Sequence, residues 1–176
     1  LVLVLLLLFV LVLVLPPPVV KGRNRIGETI FLSKNTVKIG VERIFTVQCF
    51  LPEGPYPVFS LSGEQGSAKT SFARIIVSLT DPKAAPLRPL PNNERDLMID
   101  ATTNQVLAFD NISYINASMS DALCRISSGG GFSTRALYTD NEQMIFEAQR
   151  PIIITGITEA ARRSDLVDRT VSVELK

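Results

Sequence analysis

The 176-residue chain contains no histidine. That absence removes the usual general base and the commonest metal ligand, so any hydrolysis must rely on carboxylates, hydroxyls, Lys, Arg and a bound metal. Cysteine is nearly absent too: Cys49 and Cys124 stand far apart with no metal-ligand spacing, and each reads as a small apolar side chain. Charge of one sign is also missing. With 18 Lys and Arg against 17 Asp and Glu, the net charge is +1, and any nucleic-acid contact must come from a local patch. The length suits one α/β core and little more. Asn111 and Asn116 each open an Asn-x-Ser sequon, but no clear export signal accompanies them and they read as coincidence.

What is present is a glycine loop. Residues 63–70 read Gly-Glu-Gln-Gly-Ser-Ala-Lys-Thr. A phosphate-binding loop asks for Gly, four free residues, Gly, Lys and then Ser or Thr: backbone N–H groups wrap phosphates, Lys reaches the terminal ones and the hydroxyl meets magnesium. Gly63, Lys69 and Thr70 match, and Ala68 stands where the second glycine belongs. Gly66 lies inside the loop and offers some of the lost backbone freedom. The cradle taken as a whole is Gly63, Glu64, Gln65, Gly66, Ser67, Ala68, Lys69, Thr70 and Ser71. Before it, Pro57 to Leu61 reads as a buried strand. After it, Thr70 to Leu79 reads as a helix with Phe72, Ala73, Ile76 and Leu79 at helical spacing. An ordinary tight turn before a helix is the plain alternative.

Such a loop needs an acid at the end of a second buried strand to help hold magnesium, directly or through water. The run Gln105-Val-Leu-Ala-Phe-Asp110 supplies one, about forty residues downstream. Asp110 and Thr70 are therefore the candidate metal ligands, with a strand-closing turn as the alternative for Asp110. Asn111 follows where many ATPases place Glu, and an amide cannot accept a proton from attacking water. General-base help is typically worth about 10² to 10⁴ in rate, so binding is better supported than rapid hydrolysis. Between loop and acid, Asp81 to Pro91 is proline-rich and reads as a connection with one short edge strand. Asn93 to Thr102 opens with a capping residue and first-turn acids, as a helix does. The alternation predicts a mostly parallel sheet with covering helices.

Farther on, Asp121 to Ile126 reads as helical and Gly129-Gly-Gly131 as a turn. Phe132 to Tyr138 with Gln143 to Glu147 reads as a hairpin across Thr139-Asp-Asn-Glu142.

With these motifs in hand, the chain resembles P-loop ATPases of the AAA+ class, and within them the helicase part of primase-helicases of bacterial mobile elements and phages, related to superfamily 3. The resemblance rests on Leu61 to Thr70, Val106 to Asn111, Asp121 to Arg135, Arg150 to Ile157 and Asp165 to Arg169, and it spans residues 55–176. It implies a P-loop α/β core with an inserted hairpin, binding of ATP and Mg2+, a cytoplasmic setting and a homo-oligomeric ring acting on single-stranded or forked DNA. It also implies a γ-phosphate sensor at Thr155, where a hydroxyl replaces the usual amide; a strand-terminal Thr without a role stays open. Arg169 resembles the arginine offered to a neighbouring subunit's ATP. A surface ion pair with Asp165 or Asp168 is its alternative, and Arg162 and Arg163 are substitutes. Lys69, Asp110, Asn111, Thr155 and Arg169 thus form the candidate catalytic set. Arg125, Arg135 and Tyr138 are the candidate nucleic-acid contacts, though Asp140, Glu142 and Glu147 make the hairpin more acidic than basic.

The N-terminal region stands apart. Residues 1–15 are uniformly apolar, begin with Leu and end at Pro16-Pro-Pro18. As a helix they would reach roughly 22 Å against a hydrocarbon core of about 30 Å. No basic stretch precedes them and no small-residue cleavage site follows, while Lys21, Arg23 and Arg25 resemble a stop-transfer flank. An end foreign to the natural protein, a membrane or interfacial anchor, and a buried strand or helix all stay open. The chain is expected to be a fragment or processed product, organised as an apolar segment at 1–20, a flank at 21–54 and a core at 55–176 truncated at its C-terminus. A motor is the leading function; a nucleotide switch with weak turnover and a degenerate remnant are the rivals.

Overall fold

The computed structural model describes residues 43–130, 132–135, 143–146, 148–158 and 160–175. The chain divides into two compact units, Leu1–Val47 and Gln48–Lys176. Of the first, only residues 43–47 are described, and they are helical. The apolar run at residues 1–15 lies outside the described residues. Among those described, no helix is long and apolar enough to cross a membrane.

The second unit is α/β. Its elements run β1 (Val58–Gly63), α1 (Lys69–Thr80), α2 (Glu94–Thr103), β2 (Leu107–Phe109), α3 (Ala117–Ser128), β3 (Phe132–Arg135), β4 (Gln143–Phe146), β5 (Ile152–Thr155), α4 (Ser164–Val167) and β6 (Thr170–Leu175). Four strands form one sheet in the order β2-β5-β1-β6, and every pairing in it is parallel. A parallel sheet needs cover on both faces, which explains why β2 and β5 are buried at every position and β1 at all but one. In register, Val58, Ile152 and Leu107 sit side by side, as do Phe59, Ile153 and Ala108. The first set joins α2, α3 and α4 in one core cluster with Leu97, Met98, Leu123, Ile126 and Leu166. Alternation turns the second set to the opposite face. There α1 packs on β1 and β5 with buried Ala73, Ile76 and Val77, none of which belongs to that cluster.

Local signals explain the helix ends. The Asn93 side chain caps α2 by accepting from the Asp96 amide at 2.8 Å, and Asn116 caps α3 through the Met119 amide at 2.8 Å. Helix α3 starts four residues before the stretch that spacing predicted, because Asn116 is its cap. It stops at Gly129 in the left-handed region, φ 85°. The apolar face of α1 is rotated from expectation: Leu79 is 61% exposed and Phe72 half-buried, while Val77 and Thr80 are buried. The predicted edge strand in the proline-rich connection is a single bridge, Arg88 beside Phe109. The hairpin forms as β3 and β4, antiparallel, with Arg135 opposite Gln143. Tyr138, Asp140, Glu142 and Glu147 lie outside the described residues.

Burial raises the Cys49 thiol to about 12, outweighing a backbone hydrogen bond that lowers it, so Cys49 is an inert packing residue.

Candidate functional site

Parallel α/β sheets bind ligands beyond the carboxyl ends of their strands. Here three such ends meet: β1 runs into the glycine loop, β2 into Asp110 and β5 into Thr155. Because β5 lies between β1 and β2, Thr155 stands between the loop and the acid.

The loop closes on itself. The Gly63 amide donates to the Ile157 carbonyl at 3.3 Å, and Ser67 N–H donates to the Glu64 carbonyl at 3.2 Å. Glu64, Gln65 and Gly66 are exposed. Gly66 has φ 88°, and the Cβ of another residue there would meet no atom within 4 Å, so its glycine is required by backbone conformation and not by space. Ala68 also adopts the left-handed region, with φ 62° and ψ 16°. Ala68 thus holds a backbone conformation that glycine adopts without penalty, and Ala carries the strain, which costs about 1 to 2 kcal/mol. Ala68 is the N-cap of α1 and provides no side-chain acceptor. The first-turn N–H groups of α1 consequently face the loop without a cap, an arrangement that favours an anion at the helix start.

Lys69 lies over this loop. Its ammonium donates to the carbonyls of Gly63 at 2.9 Å and Glu64 at 2.6 Å and to Ser67 Oγ at 3.0 Å, which uses all three of its N–H groups. An anion entering the loop would replace these oxygens as Lys69's partner.

Thr70 and Asp110 meet across the sheet: Thr70 Oγ1 donates to Asp110 Oδ1 at 3.0 Å. Thr155 Oγ1 donates to the same oxygen in a very short hydrogen bond and accepts from the Asn111 amide at 3.0 Å. Thr155 is buried, and its donor and an acceptor site are both engaged within the protein. The Ile112 amide donates to the Thr155 carbonyl at 2.7 Å, tying the β2 exit to the β5 exit. Gly156 permits that approach, since a Cβ there would press on the Ile112 carbonyl. Nothing in the sequence pattern marked Gly156.

Asn111 has φ 58°. Asn is among the few residues besides glycine enriched in that region, so the residue after the acid has a backbone reason for its identity. A cleft of about 320 Å³ opens beside Asp110 and Asn111, with Pro91, Asn92, Tyr114 and Asn116 on its walls.

The remaining candidates lie elsewhere. Arg169 precedes β6, where its carbonyl accepts from the Val58 amide at 2.9 Å. That is the opposite end of six-residue β1 from Gly63, roughly 16 Å away. Its exposed guanidinium donates to the Asp165 carbonyl at 2.7 Å and not to the neighbouring carboxylates expected as its alternative partners. Arg163 forms an ion pair with Asp121 at 3.2 Å. Arg125, in the last turn of α3, pairs with Glu94 of α2 at 2.9 Å and so joins two helices. Arg135 lies on β3, opposite Gln143.

As a donor set, Thr70 and Asp110 are hard oxygens of the kind magnesium takes, one or two from protein with the rest from water and phosphate. Among the described residues no cluster of three His, Cys, Asp or Glu could hold a metal by itself.

No protein of curated function matches the chain. A family model does match: that of the actinomycete integrative conjugative element replication protein, over residues 27–176. The match takes in every strand and helix described above and reaches into the flank before residue 50, where no resemblance was read. The chain therefore belongs to the family of actinomycete integrative conjugative element replication proteins.

Proposed function

We propose that this mobile-element replication protein is a magnesium-dependent P-loop ATPase of the AAA+ kind that drives a helicase or translocase step on DNA. The observation that carries the reading is the 3.0 Å hydrogen bond between Thr70 and Asp110, set beneath a loop whose Lys69 ammonium lies over its carbonyls. In this reading Gly63 to Ser71 wrap the phosphates of ATP and Lys69 turns from the loop carbonyls to the terminal phosphates. Thr70 and Asp110 hold Mg2+, which supplies charge neutralisation at the phosphates. Thr155 acts on the reaction by orienting Asp110, since its proton is directed there. Arg169 acts in trans within a cytoplasmic ring of identical subunits, because its own site lies at the far end of the sheet. Contact with single-stranded or forked DNA falls to Arg135 and Tyr138 in the hairpin region, with Arg125 occupied by Glu94.

One observation favours a second reading, a nucleotide switch with slow turnover: Asn111 provides no carboxylate after Asp110, and its left-handed backbone disfavours Glu. The left-handed backbone at Ala68, held despite the missing glycine, weighs against a degenerate remnant. The discriminating experiment is Mg2+-dependent ATP binding and hydrolysis by the chain, with and without single-stranded DNA, beside Lys69→Ala. Hydrolysis stimulated by DNA and lost in Lys69→Ala supports the motor. Tight binding without turnover supports the switch. Absence of binding, or unchanged affinity in Lys69→Ala, refutes the site.

A further inference from the structure

Strand β2 is only three residues long and lies at the edge of the sheet. Its register with β5 ends at Phe109 opposite Ile154, so Asp110 stands one residue beyond the last paired position. On the β5 side the exit is tied by Thr155. Among the described residues the other flank has no strand, and an edge with bare backbone groups drifts and frays unless something pairs with it.

Arg88 pairs with it. Its amide donates to the Ala108 carbonyl at 3.1 Å, and its carbonyl accepts from the Asp110 amide at 2.9 Å. Pro86 and Pro89 surround it and have no N–H to offer, so the bridge rests on this one residue. The Arg88 side chain reaches away from the sheet to α2. There Nη1 donates to Asp100 Oδ1 at 2.5 Å and Nη2 approaches Asn104 Oδ1 at 3.5 Å. Asn104 in turn accepts from Lys83 Nζ at 2.9 Å and donates to the Asp100 carbonyl at 2.7 Å. Helix α2 is itself anchored, with Leu97, Met98 and Ala101 buried in the core.

We infer that Arg88 is a positioning residue for Asp110: the Arg88–Asp100 pair fixes a backbone bridge that holds the Asp110 peptide in place, and with it the carboxylate opposite Thr70. The inference rests on the magnesium-nucleotide reading above and adds a residue that neither the loop motif nor the acidic strand marks. Its chemical consequence is selective. Magnesium demands near-ideal octahedral geometry at short distances, so a carboxylate that moves by a fraction of an ångström loses cation affinity. In that reading the phosphates would be held by loop amides and Lys69, whose hydrogen bonds involve neither Arg88 nor Asp110.

The test compares binding of a fluorescent ATP analogue to the full chain in Mg2+ and in EDTA, for wild type, Arg88→Ala, Arg88→Lys and Asp100→Asn. Arg88→Ala and Asp100→Asn are expected to reduce the Mg2+ enhancement of affinity by about tenfold, the scale of one hydrogen bond to a charged group. Their affinity in EDTA should stay within about twofold of wild type, and Arg88→Lys should recover part of the enhancement. A folded Arg88→Ala protein with lowered thermal stability and unchanged Mg2+ enhancement would make the bridge purely structural and overturn the inference. If Arg88→Ala fails to fold, Asp100→Asn, which keeps the side-chain shape, decides by the same comparison. Wild type that binds equally well in Mg2+ and EDTA overturns the inference and leaves the phosphate loop standing. Wild type that binds no nucleotide overturns both.

Discussion

Thr70 and Asp110, forty residues apart in the chain, are joined by a hydrogen bond of 3.0 Å at the open end of the sheet. Neither residue is unusual in its own segment: one lies in the first turn of α1 and the other directly after β2. Their meeting depends on β1 and β2 being parallel and separated only by β5, which brings both carboxyl ends to the same side.

The pair should be needed for cation-dependent binding and not for folding. Thr70→Val keeps the side-chain volume and removes the hydroxyl, and it should weaken Mg2+-dependent nucleotide binding by about 10- to 100-fold, the scale of a lost charged hydrogen bond and ligand. Asp110→Asn should act in the same direction. Isothermal titration with ATP in Mg2+ measures both, and affinity equal to wild type in either variant would remove the pair from the site.

Ala68 is strained, and the strain is removable. Ala68→Gly relieves a left-handed backbone but gives the unfolded chain more freedom, so the net gain should be up to about 1 kcal/mol, whereas Ala68→Val should lose about 1 to 2 kcal/mol. Urea denaturation with both variants checks the order. If valine were tolerated as well as glycine, position 68 would not be left-handed.

Asn111 meets two opposing demands. Asn111→Glu restores a proton acceptor and should raise ATP turnover if the missing base limits it, yet it places Glu at φ 58° and should reduce stability by about 1 kcal/mol. Asn111→Gly should keep stability close to wild type without the gain in rate. Steady-state hydrolysis paired with denaturation separates the terms. A stable Asn111→Glu protein with no faster turnover would point to another base or to a limiting conformational step.

Arg169 lies at the far end of the sheet from its own loop, so under the proposed function its effect would depend on assembly. Arg169→Ala should slow hydrolysis while sparing nucleotide affinity, and the loss should vanish at dilutions where subunits separate. A monomer that hydrolyses ATP at full rate would end the proposal of action in trans.

The Asp81 carboxylate makes a pH prediction. Burial works to raise its proton affinity, but hydrogen bonds from the Val106 amide, Lys83 and the Gln105 amide outweigh it and hold the group below its ordinary value of 3.8. A depressed carboxylate contributes stability that is present above the unfolded-state value and lost as pH falls through the folded one. Asp81→Asn should therefore be less stable than wild type at pH 7, with the difference shrinking below about pH 4. A difference that persists unchanged to pH 2 would contradict this.

Several features were legible without coordinates because they are local. The strand read at 57–61 forms at 58–63, the helix read at 70–79 forms at 69–80, the run before Asp110 forms a strand at 107–109 and Asn93 is a cap, because each depends on neighbours within a few residues. The alternation of strands and helices likewise implied a mostly parallel sheet with covering helices, and the four-stranded sheet is wholly parallel and flanked by helices. Periodicity marked α1 as amphipathic but misplaced its buried face. Leu79 is exposed because the neighbours of α1, β1 and β5, choose the stripe, and they come from other parts of the chain.

What the sequence by itself determined is which polar side chains follow the strand ends: Lys69, Thr70 and Asp110, in motifs whose spacing is set by one strand, one turn and one helix start. The tertiary structure alone decided how those groups are joined. It inserted β5 between β1 and β2, directed Thr155's hydroxyl to Asp110, tied Arg125 to Glu94 and set Arg88 against the open edge of β2. Strand order and edge pairing depend on which apolar faces bury one another across forty residues or more. No local periodicity records that choice, because it is settled by the packing of the whole core.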